Sequence, residues 1–346
     1  MRLVSLWFYV KSENMRKTNI LRNIGIVAGI LVLLILNNSC EHTEYDLLDP
    51  AEAGIWTLFD TTDGLPSNEV TEIKRDSRDN LWFTFPGYGT AKYDGNDWIY
   101  FRTANSPLLT NIVNCLAEDA DGKILFGTSE GISILNDENE WDSYVDSATS
   151  MYINTIKVAS NGWIWVGTKE QGFYVNNGSG FVKTYSETYK NVNVIEEDAA
   201  GNIWLGTDNG LIRWDGSGYS YLTTEENLPD NRISALLTDS KERLWIGTRG
   251  GKTASWIDSR GIHQLSLFTG TDSCFINDII EDRKGDIWFA TYNDGLIRFD
   301  GVIPHSIKEA NGFPENNIYS IGEDKYGNLW FGLYSRGVAR YTLPIN

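Results

Sequence analysis

The stretch "GNIWLGTDNGLIRWDG", residues 201–216, returns in altered form along the chain, and that recurrence limits the possible folds more than anything else. Seven copies align on a central large residue: Trp82, Leu125, Trp165, Trp204, Trp245, Trp288 and Trp330. The intervals are 43, 40, 39, 41, 43 and 42 residues. A period near forty belongs to propeller blades or to arrays of helical pairs. Each unit consists of short β-branched and aromatic runs split by glycine and by Asp-Gly or Asn-Gly turns, which are strand and hairpin signals. The class is therefore all-β.

Within each unit the spacing is regular. A branched aliphatic stands twelve residues before the anchor, from Val70 to Ile318, and another nine before it, from Ile73 to Ile321. Aspartate stands six before it in every copy except the third, where Ala159 replaces it. That aspartate is read as bonding the backbone of its own turn. Gly127, Gly167, Gly206, Gly247 and Gly332 follow two residues after the anchor, where a missing side chain lets a neighbouring sheet close in. Asn68, Asn111, Asn231 and Asn316, fourteen before the anchor, are read as turn residues.

The last copy ends with a third strand and lacks a fourth. The stretch "GIWTLFDTTDG", Gly54 to Gly64, stands in front of the first copy and can supply it. Closing the ring in this way removes exposed sheet edges. The expected fold is a seven-bladed β-propeller of four-stranded blades over residues 54–346, closed by an N-terminal strand.

The segments "DGLPSNEVTEIKRDSRDNLWF", "NLPDNRISALLTDSKERLWIGT" and "GFPENNIYSIGEDKYGNLWFG" resemble the repeats of the two-component regulator propeller family. The likeness runs over residues 54–346. It implies an extracytoplasmic sensor-type propeller, of the kind often linked to polysaccharide use. No kinase, receiver or DNA-binding stretch accompanies the repeats here, so the resemblance implies a fold and a binding habit rather than signalling chemistry.

Residues 1–39 read as a signal peptide. "IGIVAGILVLLIL", Ile24 to Leu36, is a thirteen-residue apolar core, short of the roughly 20 residues a membrane-spanning helix needs. Arg16, Lys17 and Arg22 precede it, which makes Met15 a plausible start. The segment ends at Ser39-Cys40 and resembles the lipobox of bacterial lipoproteins, although Asn37 stands where that pattern has leucine. The resemblance implies lipidation at Cys40, a tether over residues 40–53 and attachment to a bacterial membrane. Glu41, Glu44 and Asp46 resemble the surface-export signal of Bacteroidetes lipoproteins, pointing to the outer membrane.

The net charge is −18, and near −22 without residues 1–39. Such a surface repels nucleic acid, so none is expected as a partner. Cys115 and Cys274 are read as small buried hydrophobes rather than a disulfide scaffold. His42, His263 and His305 show no zinc spacing, and neither a metal nor a cofactor is expected. "DADGKILFGT" resembles a calcium loop at Asp119, Asp121 and Gly122, but Thr128 falls where the bidentate glutamate belongs.

The loops between second and third strands vary most. They gather Phe85, Tyr88, Lys169, Arg249, Tyr292, Tyr334 and Arg336 on one rim. Aromatic faces beside hydrogen-bonding groups suit a carbohydrate, and equally a protein ligand. The leading expectation is a non-catalytic binding or sensory lipoprotein. A scaffold subunit of a surface complex comes second and a propeller lyase third. His263 and His305 fall in outermost strands, which argues against the lyase.

Overall fold

The computed structural model describes residues 55–146, 151–184, 188–251, 253–267, 275–309 and 312–342. The proposed signal peptide, the tether, Cys40, His42 and Cys274 lie outside them. The described residues form seven four-stranded antiparallel sheets. In blade 4, strands Val192–Glu197, Ile203–Thr207, Gly210–Trp214 and Tyr219–Leu222 lie side by side in chain order. Blades are numbered here by their anchors, Trp82 in blade 1 to Trp330 in blade 7.

Blade 7 takes its fourth strand from the other end of the chain. Strand Ile55–Phe59 pairs antiparallel with Val338–Thr342, with Trp56 opposite Tyr341 and Phe59 opposite Val338. Trp56 also lies 4.6 Å from the Tyr341 ring and 4.9 Å from Phe313, so the closing strand contributes core as well as backbone bonds. The ring shuts as its repeat count requires.

Seven apolar clusters hold the blades together, and each joins the anchor of one blade to the strands of the next. Trp204 of blade 4 packs with Leu236, Leu244 and Ile246 of blade 5. Trp330 of blade 7 packs with Val70, Ile73 and Phe83 of blade 1. Burying such side chains contributes roughly 1.5–3 kcal/mol each. The glycines after the anchors make this approach possible. A Cβ at Gly206 would stand 2.6 Å from Ile233 Cγ2 of the next blade, and one at Gly332 would stand 2.6 Å from the Val70 carbonyl oxygen.

The recurring aspartate does more than the sequence pattern implies. One oxygen of Asp198 accepts the amides of Ala200 and Asn202, both turn bonds expected of it. The other accepts the indole N–H of Trp204 at 2.7 Å. The same bond joins Trp82 to Asp76, Trp245 to Asp239, Trp288 to Asp282 and Trp330 to Asp324, at 2.8–2.9 Å. Blade 3 has Ala159 in that place, and the buried Nε1 of Trp165 has no partner. Polar staples also cross between blades. The amide and hydroxyl of Ser77 both donate to the Glu118 carboxylate at 2.6 Å, and Ser160–Glu197 and Ser240–Glu281 repeat the arrangement.

Candidate functional site

The variable loops sit where the sequence places them. Each of these loops lies against the segment that leads into the inner strand of its own blade, through bonds such as Lys169 N to Tyr152 O (2.9 Å), Arg249 N to Arg232 O (2.9 Å) and Tyr334 N to Asn317 O (3.1 Å). The recurrent asparagines brace that segment: the side-chain oxygens of Asn68, Asn111, Asn231 and Asn316 accept the amides of Thr61, Thr103, Thr224 and Glu309. They are turn residues, as read.

Of the seven rim candidates, Tyr88 is 50% exposed and Tyr334 45%; Lys169, Arg249 and Arg336 are exposed and Tyr292 is half-buried. Phe85 is a correction. It is fully buried among Leu65, Val70 and Val338 and cannot serve the rim. Phe85 occupies the column in which five blades carry threonine. Those hydroxyls donate to a carbonyl of the following turn, as Thr128 does to Gly131 O at 2.8 Å. Phenylalanine has no such donor and turns into the core instead.

The exposed candidates do not form one uniform ring. Tyr334 lies 6.5 Å from Tyr292 and 5.8 Å from Tyr319, and Tyr292 lies 6.2 Å from Phe275, so blades 6 and 7 present a continuous aromatic wall. The Tyr319 hydroxyl points to Glu69 Oε1 of blade 1, 3.4 Å away. Burial, and then the nearby Glu69 carboxylate, push the Tyr319 pKa up to about 12. On blade 3 Lys169 stands 5.3 Å over the Tyr152 ring. On blade 4 Asp208 accepts the side-chain amides of Asn191 and Asn193.

Beneath the rim runs a central cavity of about 250 Å³ lined by the inner strands. The sequence reading passed over its lining. In six blades the strand register slips by one residue at the same place, leaving Asn114, Asn154, Asn193, Ser234, Asn277 and Tyr319 unpaired as bulges. The first five donate to the carbonyl that opens the next blade's inner strand, for example Asn154 Nδ2 to Val192 O at 3.1 Å and Asn277 Nδ2 to Ile318 O at 2.8 Å. The signal was present: with Thr71 in blade 1, the residue eleven before each anchor is polar in all seven copies.

Charged groups follow these bulges along the same strands. Lys157 and Glu196 form an ion pair at 2.7 Å, and Lys74 lies 4.0 Å from Glu72. Glu72 Oε2 accepts the Leu116 amide at 2.8 Å, while Asp278 accepts the amides of Ile279 and Ile321 and the Ser320 hydroxyl. Burial raises the Glu72 pKa to about 7, opposed by Lys74 and reinforced by Asp278. Burial raises Asp278 as well. Lys74 is exposed within the channel; desolvation by the lining works against its charge, but Glu72, Asp278 and Glu196 outweigh it and hold the pKa above its usual value. Cys115 lines the same cavity, is buried as read, and has its thiol pushed well up by that burial.

The two described histidines are remote from this centre. His263 Nε2 lies 2.9 Å from Asp258, and His305 Nε2 lies 3.0 Å from Asp300, both on fourth strands at the outside of their blades.

The two-component regulator propeller profile matches residues 107–130, 186–209, 227–250, 270–293 and 312–335. Blades 2, 4, 5, 6 and 7 thus carry two-component regulator propeller repeats. Histidine kinase P4 of Formosa agariphila is 26% identical over 243 residues, covering 61% of this chain and 17% of the kinase. The propeller thus spans well under two thirds of that relative. The extracellular domain of a hybrid two-component system of B. thetaiotaomicron superposes with a TM-score of 0.70 at 18% identity, over 84% of this chain and 42% of that one. A streptogramin B lyase superposes equally well, with a TM-score of 0.70 at 17% identity, over 86% of this propeller and 100% of the lyase. At these identities both establish the fold alone. No helix among the described residues is long and apolar enough to cross a membrane.

Proposed function

We propose that this propeller is a non-catalytic, extracytoplasmic binding module of sensory type, and that it takes a carbohydrate on the rim around its channel. The observation that carries the reading is the aromatic wall of Tyr292, Tyr334 and Tyr319, with the Glu69 carboxylate at one end. Ring faces suit the apolar face of a sugar, and the flanking carboxylate and amides suit its hydroxyls. The non-catalytic part of the reading is supported by the histidines, each already on an aspartate at the outer edge of a blade. We further propose that Cys40 carries the lipid that holds the protein to a membrane.

Glycan arrays followed by calorimetry test the rim, with Tyr88→Ala, Tyr292→Ala and Tyr334→Ala alongside the parent chain. A bound glycan that loses affinity at least fivefold in the Tyr292 and Tyr334 variants supports the reading. A glycan indifferent to all three changes places the site elsewhere, and product formation from it overturns the non-catalytic assignment. A protein ligand that binds in its place, with the same variant sensitivity, keeps the rim and replaces the sugar.

A further inference from the structure

The channel presents several side-chain acceptors alongside the ammonium groups of Lys74 and Lys157. In each bulge asparagine the Nδ2 is held by a backbone carbonyl of the next blade, which can only accept, and this settles the amide orientation. The Oδ1 atoms of Asn154, Asn193 and Asn277 then accept no hydrogen bond among the described residues. Glu72 Oε1 has only Lys74, at 4.0 Å. The lining carries three carboxyl groups, Glu72, Glu196 and Asp278, and two lysines, Lys74 and Lys157, with Glu196 paired to Lys157. At the mouth, Tyr319 and Tyr334 turn rings at 45° to one another beside Glu69. Aromatic faces attract cations, and an ammonium carries three donors and no acceptor.

We propose that the channel and its lip between blades 6, 7 and 1 form a binding site for a small organic cation bearing a primary ammonium group. The ammonium sits among the amide oxygens and Glu72, and the carbon chain leaves past Tyr319 and Tyr334. The cavity lies below the roughly 300–1,000 Å³ typical of drug-sized ligands, which limits the occupant to a small molecule. Blade 3 already shows the same chemistry internally, with the Lys169 ammonium over Tyr152. The overall charge of −18 draws cations toward the surface and gives the site an electrostatic approach. This site shares Tyr319, Tyr334 and Glu69 with the carbohydrate reading but adds Glu72 and the channel amides, and the diamine is read against its neutral diol, so the two fail separately.

Calorimetric titration of the full chain with 1,4-diaminobutane, and with 1,4-butanediol as its neutral counterpart, tests the proposal. The diamine is expected to bind at one site at least tenfold more tightly than the diol. Glu72→Gln and Glu69→Gln should each weaken it at least fivefold, while Glu138→Gln, on an exposed hairpin, should leave it within twofold. Tyr334→Ala, a change at an exposed position, should weaken it too and serves if Glu72→Gln fails to fold. Equal affinity for diamine and diol overturns the proposal. So does an affinity unchanged in both Glu69→Gln and Tyr334→Ala, or a loss in Glu138→Gln as large as in Glu69→Gln, which marks attraction to the acidic surface in general.

Discussion

Ala159→Asp should stabilise the protein, because blade 3 lacks a bond that five other blades possess. Trp165 is 1% exposed and its Nε1 has no partner. A buried donor left unsatisfied costs about 1–3 kcal/mol. The turn that would receive the aspartate is already shaped for it: Ala159 N donates to Trp163 O at 2.8 Å, as Asp198 N does to Asn202 O at 2.9 Å. The new carboxylate would accept the indole and the amides of Asn161 and Trp163, the second of which now bonds the Asn161 side chain at 2.9 Å. Ala159 itself is buried, so desolvating the carboxylate offsets part of the gain. The net expectation is about 1–2 kcal/mol of stabilisation, a rise in Tm of about 2–5 °C. Two further variants isolate the indole bond. Asp282→Ala removes it together with the turn bonds and should cost about 2–4 kcal/mol. Asp119→Ala, in the blade whose anchor is Leu125, removes turn bonds alone and should cost about half as much. Scanning calorimetry at one fixed scan rate reads all three. A Tm that stays level or falls in Ala159→Asp, or equal losses in the two alanine variants, would refute the reasoning.

Three further outcomes are expected. Deleting residues 55–59 should leave Val338–Thr342 as an open edge and yield an aggregating protein; a monomer with unchanged Tm on gel filtration and melting would rule closure out. Glu72, held up to about 7 by burial, binds its proton more tightly in the folded chain than in the unfolded one. Its contribution is therefore fully present below about pH 4.5 and lost as pH rises through 7. Glu72→Gln should gain Tm relative to the parent across that window and hold the gain above it; a difference that is flat with pH would contradict the assignment. Cys40→Ala should end lipidation and move the protein from the membrane to the soluble fraction, and fatty acid still incorporated in the variant would refute Cys40 as the site.

Much of this architecture is legible in one dimension because every blade solves one packing problem. Trp204, Gly206 and Asp198 recur at fixed spacing since each blade must fill the gap to its neighbour, admit that neighbour's backbone and close its own turn. The missing fourth strand of the last repeat likewise pointed to residues 55–59. Phe85 was misread for the same reason in reverse: its place in a variable loop suggested exposure, and nothing local reveals that Leu65 and Val338 cover it.

What the repeat could not convey is what meets what around the ring. The indole bond to the aspartate depends on how Trp204 folds back over its own hairpin, and the bond from Asn154 to Val192 O runs between blades. Glu69 and Tyr319 are 250 residues apart and touch only because blade 7 closes on blade 1. Periodicity determined the blade, its core and the number of blades. The channel, its charges and the aromatic lip were decided by closure, which brings residues one repeat or a whole chain apart onto a single axis.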